Sequence, residues 1–222
     1  MEIKIRKTIK SLVQFLMLFV IVNGVESSCK GECVALASYT VRSPSNLTYV
    51  SQLFSRTIPE IRSYNPNLTN PDVIHDGTRV NVPFSCSCND RGFLSHRFLY
   101  NASSGDAYSR IAGIYYSNLT TVNMLRDFNT YDALRIPLGS QVNVMVNCSC
   151  GNNRVSKDYG LFITYPIQSG ESLSTIANGT GVNEILLRDY NPGSNFSNGE
   201  LVFIPGRGKK SCYVPNHAFF HV

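Results

Sequence analysis

Cys86-Ser87-Cys88 and Cys148-Ser149-Cys150, 62 residues apart, each close a segment with the same ground plan. A third such segment follows without a cysteine pair, and Cys29 and Cys33 stand ahead of the first. Each segment opens on a β-prone stretch: Ser38-Tyr39-Thr40-Val41, Arg97-Phe98-Leu99-Tyr100 and Phe162-Ile163-Thr164-Tyr165. A polar turn comes next, clearest in Ser104-Gly105-Asp106 and Ser169-Gly170-Glu171, where hydroxyl and acidic side chains are expected to cap a helix N-terminus. Tyr108, Ile111, Ala112 and Tyr115 then have the spacing of one buried helical face, as do Leu173, Ile176 and Ala177. A second short helix ends near an asparagine in every segment, at Tyr64-Asn65-Pro66, Phe128-Asn129-Thr130 and Tyr190-Asn191-Pro192. Proline after asparagine marks its stop in the first and third. The segment closes on a strand: Arg79-Val80-Asn81-Val82, Gln141-Val142-Asn143-Val144 and Leu201-Val202-Phe203-Ile204. The expected fold is therefore α+β, three tandem strand–helix–helix–strand units of roughly 45 residues each. Units so small bury too little apolar surface to be stable alone.

The cysteines compensate if they are oxidised. Residues 1–25 read as a secretory signal peptide: Lys4, Arg6, Lys7 and Lys10 precede an apolar run from Leu12 to Val22, and small residues follow near Gly24. The run is short of the ~20 residues that a membrane-spanning helix needs, which disfavours a signal anchor. In an oxidising compartment disulfides are favoured over zinc, whose knuckles prefer wider spacings than Cys-x-Cys. Each bridge contributes about 2–4 kcal/mol by restricting the unfolded chain. In an extended Cys-x-Cys both side chains share one face of the strand, so each pair can reach two partners. Six cysteines leave 15 pairings open. Seven Asn-x-Ser/Thr acceptors fit secretion: Asn46, Asn67, Asn101, Asn118, Asn147, Asn178 and Asn195.

Composition excludes several functions. The chain of 222 residues carries a formal charge of +5, and without its first 24 residues 16 basic side chains face 14 acidic ones, a net +2. No basic block remains to hold several phosphates, so no nucleic acid is expected. His75, His96, His217 and His221 lie in no hydrolase or metalloprotease motif. His217 and His221 have i, i+4 spacing but no third ligand, so no metal is expected. Glu184, Asp189 and Asp127 read as solvated helical acids rather than a glycosidase pair. No enzyme and no cofactor are expected.

The units resemble LysM domains: Gly105-Asp106-Ala107-Tyr108 and Gly170-Glu171-Ser172-Leu173 precede helix one, and Tyr-Asn-Pro follows helix two. Boundaries of 38–84, 96–146 and 161–206 follow, with a stalk-like tail over 207–222. Three such units divided by two Cys-x-Cys pairs resemble the ectodomains of plant LysM receptor-like kinases. Ala35-Leu36-Ala37-Ser38-Tyr39, Tyr116-Ser117-Asn118-Leu119-Thr120-Thr121, Val146–Gly151, Val155–Pro166 and Ile204-Pro205-Gly206-Arg207 narrow the resemblance to the branch of chitin-elicitor receptor kinases and kinase-active Nod-factor receptors. The resemblance implies disulfides Cys29–Cys88, Cys33–Cys150 and Cys86–Cys148. It implies binding of chitooligosaccharides or lipochitooligosaccharides, in defence or symbiosis, with another LysM receptor ectodomain as a partner. It places the site in the second unit, on Ser104, Gly105, Asp106, Ala107 and Tyr108 and on Tyr131, Asp132, Ala133, Leu134 and Ile136 (the second loop including Arg135).

An N-acetyl group needs a small apolar pocket for its methyl, which Ala133 and Ile136 suit, and backbone groups for its amide. Tyr131 suits stacking on a pyranose face. The same residues have plainer readings: Ile136 and Tyr108 as core, Asp106 as a helix cap. Asn67 in the first unit and Asn195 in the third are acceptors just after helix two, so the second unit is the one expected to keep both loops free. Gly206–Pro215 resembles the family's stalk, and no membrane helix, lipid-anchor signal or kinase motif follows it. The expectation is an extracellular chain: a receptor ectodomain, a secreted decoy or co-receptor module, or an interaction module with dead grooves. Cys212, the seventh cysteine, is expected to be free or intermolecular.

Overall fold

The structure is a computed structural model that describes Cys29 and residues 31–42, 45–152, 155–156 and 158–207. The leader, Cys212, His217, His221 and the tail beyond Arg207 lie outside the described residues. The first unit comprises β1 (Glu32–Thr40), α1 (Leu47–Phe54), α2 (Ile58–Ser63) and β2 (Arg79–Cys88). The second comprises β3 (Leu94–Asn101), α3 (Tyr108–Arg110) running into a π-helical turn over Ile111–Tyr115, α4 (Val122–Phe128) and β4 (Gln141–Asn147). The third has β5 (Tyr159–Pro166), α5 (Leu173–Thr180), α6 (Glu184–Tyr190) and β6 (Leu201–Arg207). Three strand–helix–helix–strand units are thus present.

Their strands form one six-stranded sheet in the order β4-β3-β2-β1-β5-β6. Among the described residues only β1 and β5 run parallel, which joins the third unit to the first. One hydrophobic core spans the first two units and a second serves the third. Phe54 is the hinge of the shared core: its ring meets Tyr39, Phe98 and Tyr116 edge-on at 5.1–5.5 Å. Two hydroxyls cross the same junction, Tyr116 donating to Leu53 O at 3.3 Å and Ser117 to Thr40 O at 2.7 Å. The third unit is held by Arg79, whose Nη2 donates to Pro166 O at 2.9 Å and Glu171 Oε2 at 2.7 Å while its guanidinium lies 3.7 Å from the Tyr165 ring centroid.

Disulfides link Cys29 to Cys88, Cys33 to Cys150 and Cys86 to Cys148. Cys33 and Cys86 face one another across β1 and β2, yet each bonds to the second Cys-x-Cys pair instead. The Sγ atoms of Cys33, Cys86 and Cys150 lie within 4.8 Å of one another. All three are committed to disulfides, so this cluster is a covalent staple and not a metal-ligand set.

The helices start differently from the sequence expectation. Ser172 caps α5 through Thr175 N–H, whereas Ala107 precedes α3 with no side-chain cap. Neither Asp106 nor Glu171 caps a helix; both hold the turn before it. Glu171 accepts from Gln168 N–H at 2.7 Å and Tyr165 Oη at 2.6 Å, and Asp106 accepts from Ser103 N–H at 2.7 Å and Tyr100 Oη at 2.7 Å. The spacing is the same in both: a tyrosine six residues back and an amide three back. The π turn adds a residue to the α3 helix, so Tyr116 is fully buried where the 3.6 period points to Tyr115.

The asparagine ending each second helix has one role three times over. Asn65 Nδ2 donates to Ile61 O and Asn81 O while its Oδ1 accepts from Asn81 N–H. Asn129 makes the same three bonds with Leu125 and Asn143, and Asn191 with Leu187 and Phe203. One side chain therefore finishes the helix and pins the closing strand to it, fixing both ends of the intervening loop.

Two predictions follow from these contacts. Asn129→Ala leaves Asn143 N–H and two carbonyls without partners and should cost about 2–3 kcal/mol, read as a lower denaturation midpoint with disulfides intact. An unchanged midpoint would refute the clamp. Burial opposes ionisation of Glu171, but Gln168 N–H, the Tyr165 hydroxyl and Arg79 outweigh it and hold its carboxyl below the usual range. A depressed folded pKa stabilises above the unfolded value of about 4.3, and that stability is lost as pH falls through the folded value. The melting-temperature gap between wild type and Glu171→Gln should therefore be present at pH 6 and close near pH 3.

Candidate functional site

The loop that Asn129 pins, residues 130–140, folds against the turn before α3. Two backbone bonds lace them: Tyr108 N–H to Ala133 O at 2.9 Å and Ile136 N–H to Asp106 O at 3.3 Å. Gly139 N–H and Ser140 O close the base on Ala102 O and Ala102 N–H, each at 2.8 Å. Gly105 sits at φ 82° in the tip of the turn, a left-handed geometry that disfavours any side chain. Asp132 Oδ1 accepts Leu134 N–H at 2.8 Å and shapes the opposite tip.

Between the two tips lies a groove of ≈ 600 Å³ lined by Ser104, Gly105, Asp106, Leu134, Arg135, Ile136, Pro137 and Leu138. Ile136, 4% exposed, is its apolar floor. Leu134 and Leu138 stand on the rim at 82% and 74% exposed, the least buried large apolar side chains among the described residues. Ala107 and Ala133 are half-buried where the loops are laced.

Several expected site residues have other work. Tyr108 is fully buried; its hydroxyl donates to Tyr131 O at 3.3 Å, so it supports the loop from beneath. Tyr131 is half-buried against the core with its hydroxyl 3.4 Å from Gln141 O, and it does not line the groove. Asp106 is 2% exposed, and Tyr115 Oη at 3.0 Å takes the oxygen that Tyr100 and Ser103 leave. Tyr100 and Tyr115 stack at 5.4 Å above it. Burial and this bond to Asp106 raise the Tyr100 hydroxyl well above its ordinary pKa, so it remains a donor throughout the working range. With both carboxylate oxygens engaged, Asp106 offers the groove only its backbone. The surface is therefore uncharged except at the Arg135 rim, which suits a neutral, partly apolar ligand.

Arg135 lines the groove from within the expected loop, and Pro137 and Leu138 line it from beyond that loop. No motif in the sequence marks Leu138, and only the loop's fold shows its side chain at the rim. Asp106→Ala should strand the Tyr100 and Tyr115 hydroxyls and Ser103 N–H, costing about 3 kcal/mol and accelerating amide exchange at Ser103 and Ile136. Unaltered exchange at both amides would refute its part in building the groove.

The same backbone bonds fix the register between units. In the first, Leu47 N–H meets Pro71 O at 2.8 Å and Ile74 N–H meets Ser45 O at 3.5 Å, so Asn46 stands where the second unit has Ala107. In the third, Gly199 N–H bonds Ile167 O and Ile167 N–H bonds Glu200 O, so Phe196 stands at Ile136 and Asn195 at Arg135. Asn67 instead falls in a loop two residues longer, beside shallow depressions of ≈ 300 and ≈ 350 Å³. Asn67 therefore lines the depression that holds Ile74, and Asn46 is a second acceptor at the first unit's laced loops, one that the linear comparison passes over.

Two family models, each described as a LysM domain, match residues 39–83 and 163–205. Chitin elicitor receptor kinase 1 of Arabidopsis thaliana is 41% identical over 217 residues, covering 93% of this chain and 35% of that protein. LysM domain receptor-like kinase 3 of Medicago truncatula is 44% identical over 200 residues, covering 86% of this chain and 32% of that protein. The chain thus spans about a third of the length of the curated relatives it matches. A solved ectodomain of a receptor like kinase superposes with a TM-score of 0.76 at 40% identity, covering 87% of this chain and 100% of that one.

Proposed function

Because the chain belongs to the LysM receptor-like kinase ectodomain family, we propose that it acts outside the cell as a carbohydrate-binding ectodomain for β-1,4-linked N-acetylglucosamine oligomers. The observation that carries this reading is the laced pair of loops, 104–107 and 131–138, with an apolar floor and unpaired leucines at the rim. The acetamido methyl fits over Ile136 and Ala133. Its amide meets backbone groups of the two loops, which are fixed in place before any ligand arrives. Leu134 and Leu138 cover the C–H faces of neighbouring pyranose rings, burying apolar surface at roughly 25 cal/mol per Å². Chitin fragments and lipochitooligosaccharides share this backbone. Signalling in immunity or symbiosis, and pairing with another LysM receptor ectodomain, are the roles such binding would serve. No helix among the described residues is long and apolar enough to cross a membrane.

Calorimetric titration with oligomers of two to eight sugars tests the reading. Affinity should rise with length until the groove is spanned. Ala133→Arg should reduce it at least about 30-fold, the loss of roughly 2 kcal/mol expected where a bulky charge intrudes beside the floor, with the fold retained by circular dichroism. Full affinity in that variant, or no binding at any length, would sink the proposal.

A further inference from the structure

All three units keep the apolar floor of the groove: Ile74 is 5% exposed, Ile136 4% and Phe196 5%. The floor therefore does not distinguish the three units. The difference lies at the rim. At the position of Ala107 the first unit has Asn46 of Asn46-Leu47-Thr48, and at the position of Arg135 the third has Asn195 of Asn195-Phe196-Ser197. Each is a glycan acceptor set on the edge of its own groove.

Asn46 is half-buried and Asn195 exposed, each beside the loop it would cover. Asn46 caps α1 with Oδ1 accepting Tyr49 N–H at 2.9 Å, which leaves Nδ2 to carry the sugar. Asn195 is exposed, and its loop is fixed by Glu200, which accepts from Asn195 N–H at 3.1 Å and from Ser194 Oγ and Ser197 Oγ, each at 2.5 Å. An asparagine-linked glycan begins with two N-acetylglucosamine residues joined β-1,4. That disaccharide is the ligand chemistry proposed for the second groove.

We infer that the glycans on Asn46 and Asn195 are internal ligands: their protein-proximal N-acetylglucosamine residues fill the first and third grooves and restrict external oligomers to the second. The inference rests on the sugar-binding reading of the LysM groove. It assigns the two outer units a definite occupant rather than a lost function. It also makes the number of open sites a property of glycosylation, with the second unit open because Ala107 and Arg135 cannot carry a sugar.

The test uses the secreted, glycosylated chain in the Ala133→Arg background, where the second groove is closed. Thr48→Ala removes the first acceptor while retaining the Asn46 cap, and Asn195→Gln removes the other. Each should restore one chitopentaose site per chain in calorimetry, and both together should restore two. No binding in any of these variants overturns the inference. If Ala133→Arg itself leaves binding intact, the second-groove assignment fails, and the glycan variants are then read as added sites above the parent. Trimming the glycans with mannosidases to their two proximal N-acetylglucosamine residues should leave the outer grooves closed. If trimming alone opens them, distal sugars merely cover the grooves and the internal-ligand assignment is wrong.

Discussion

Each unit depends on one asparagine side chain that bonds a helix end and a strand at once. Asn65, Asn129 and Asn191 each satisfy a terminal helix carbonyl and both backbone groups of one residue in the closing strand. Helices of six to eight residues are too short to be stable by their own hydrogen bonds. The clamp substitutes for length, because it couples the helix to the sheet through bonds that an unfolded chain would make only with water. It also anchors both ends of the loop that forms half of the groove. The site is therefore a consequence of how each unit is closed.

The sheet and the disulfides act at the next level. Antiparallel pairing builds the first two units into a continuous four-stranded surface, and Phe54 fills the junction between them. The third unit has its own core and is attached by the parallel β1–β5 pairing, the Cys33–Cys150 bridge and Arg79. Polar contacts dominate that second junction, which makes it the more sensitive to acid. The groove of the second unit stands on the larger, more apolar body, where its loops can be held rigid before ligand arrives.

Much of this was legible in the residues. Alternating strands, the buried stripe of Leu173, Ile176 and Ala177, and the recurring asparagine announced three repeats, because local periodicity reports local structure. The failures lay where a contact or an irregular turn departs from simple periodicity. Asp106 reads as a cap next to a helix, but the Tyr100 hydroxyl from the strand before it and the Tyr115 hydroxyl from the π turn after it occupy its carboxylate oxygens. Tyr116 replaced Tyr115 in the core because a π turn adds a residue that no pattern of period 3.6 contains. Leu138 reached the groove only through the path of its loop, and Asn46 matched Ala107 only once backbone bonds replaced linear counting across loops of unequal length.

The central claim is that one prearranged groove, between residues 104–107 and 131–138, takes the sugar. Hydrogen-exchange mass spectrometry of the glycosylated chain with and without chitopentaose tests it most directly. The account predicts slowed exchange in peptides spanning 103–108 and 131–138, with peptides spanning 168–173 and 193–199 unchanged. Protection centred on the first or third unit, or none at saturating sugar, would contradict it.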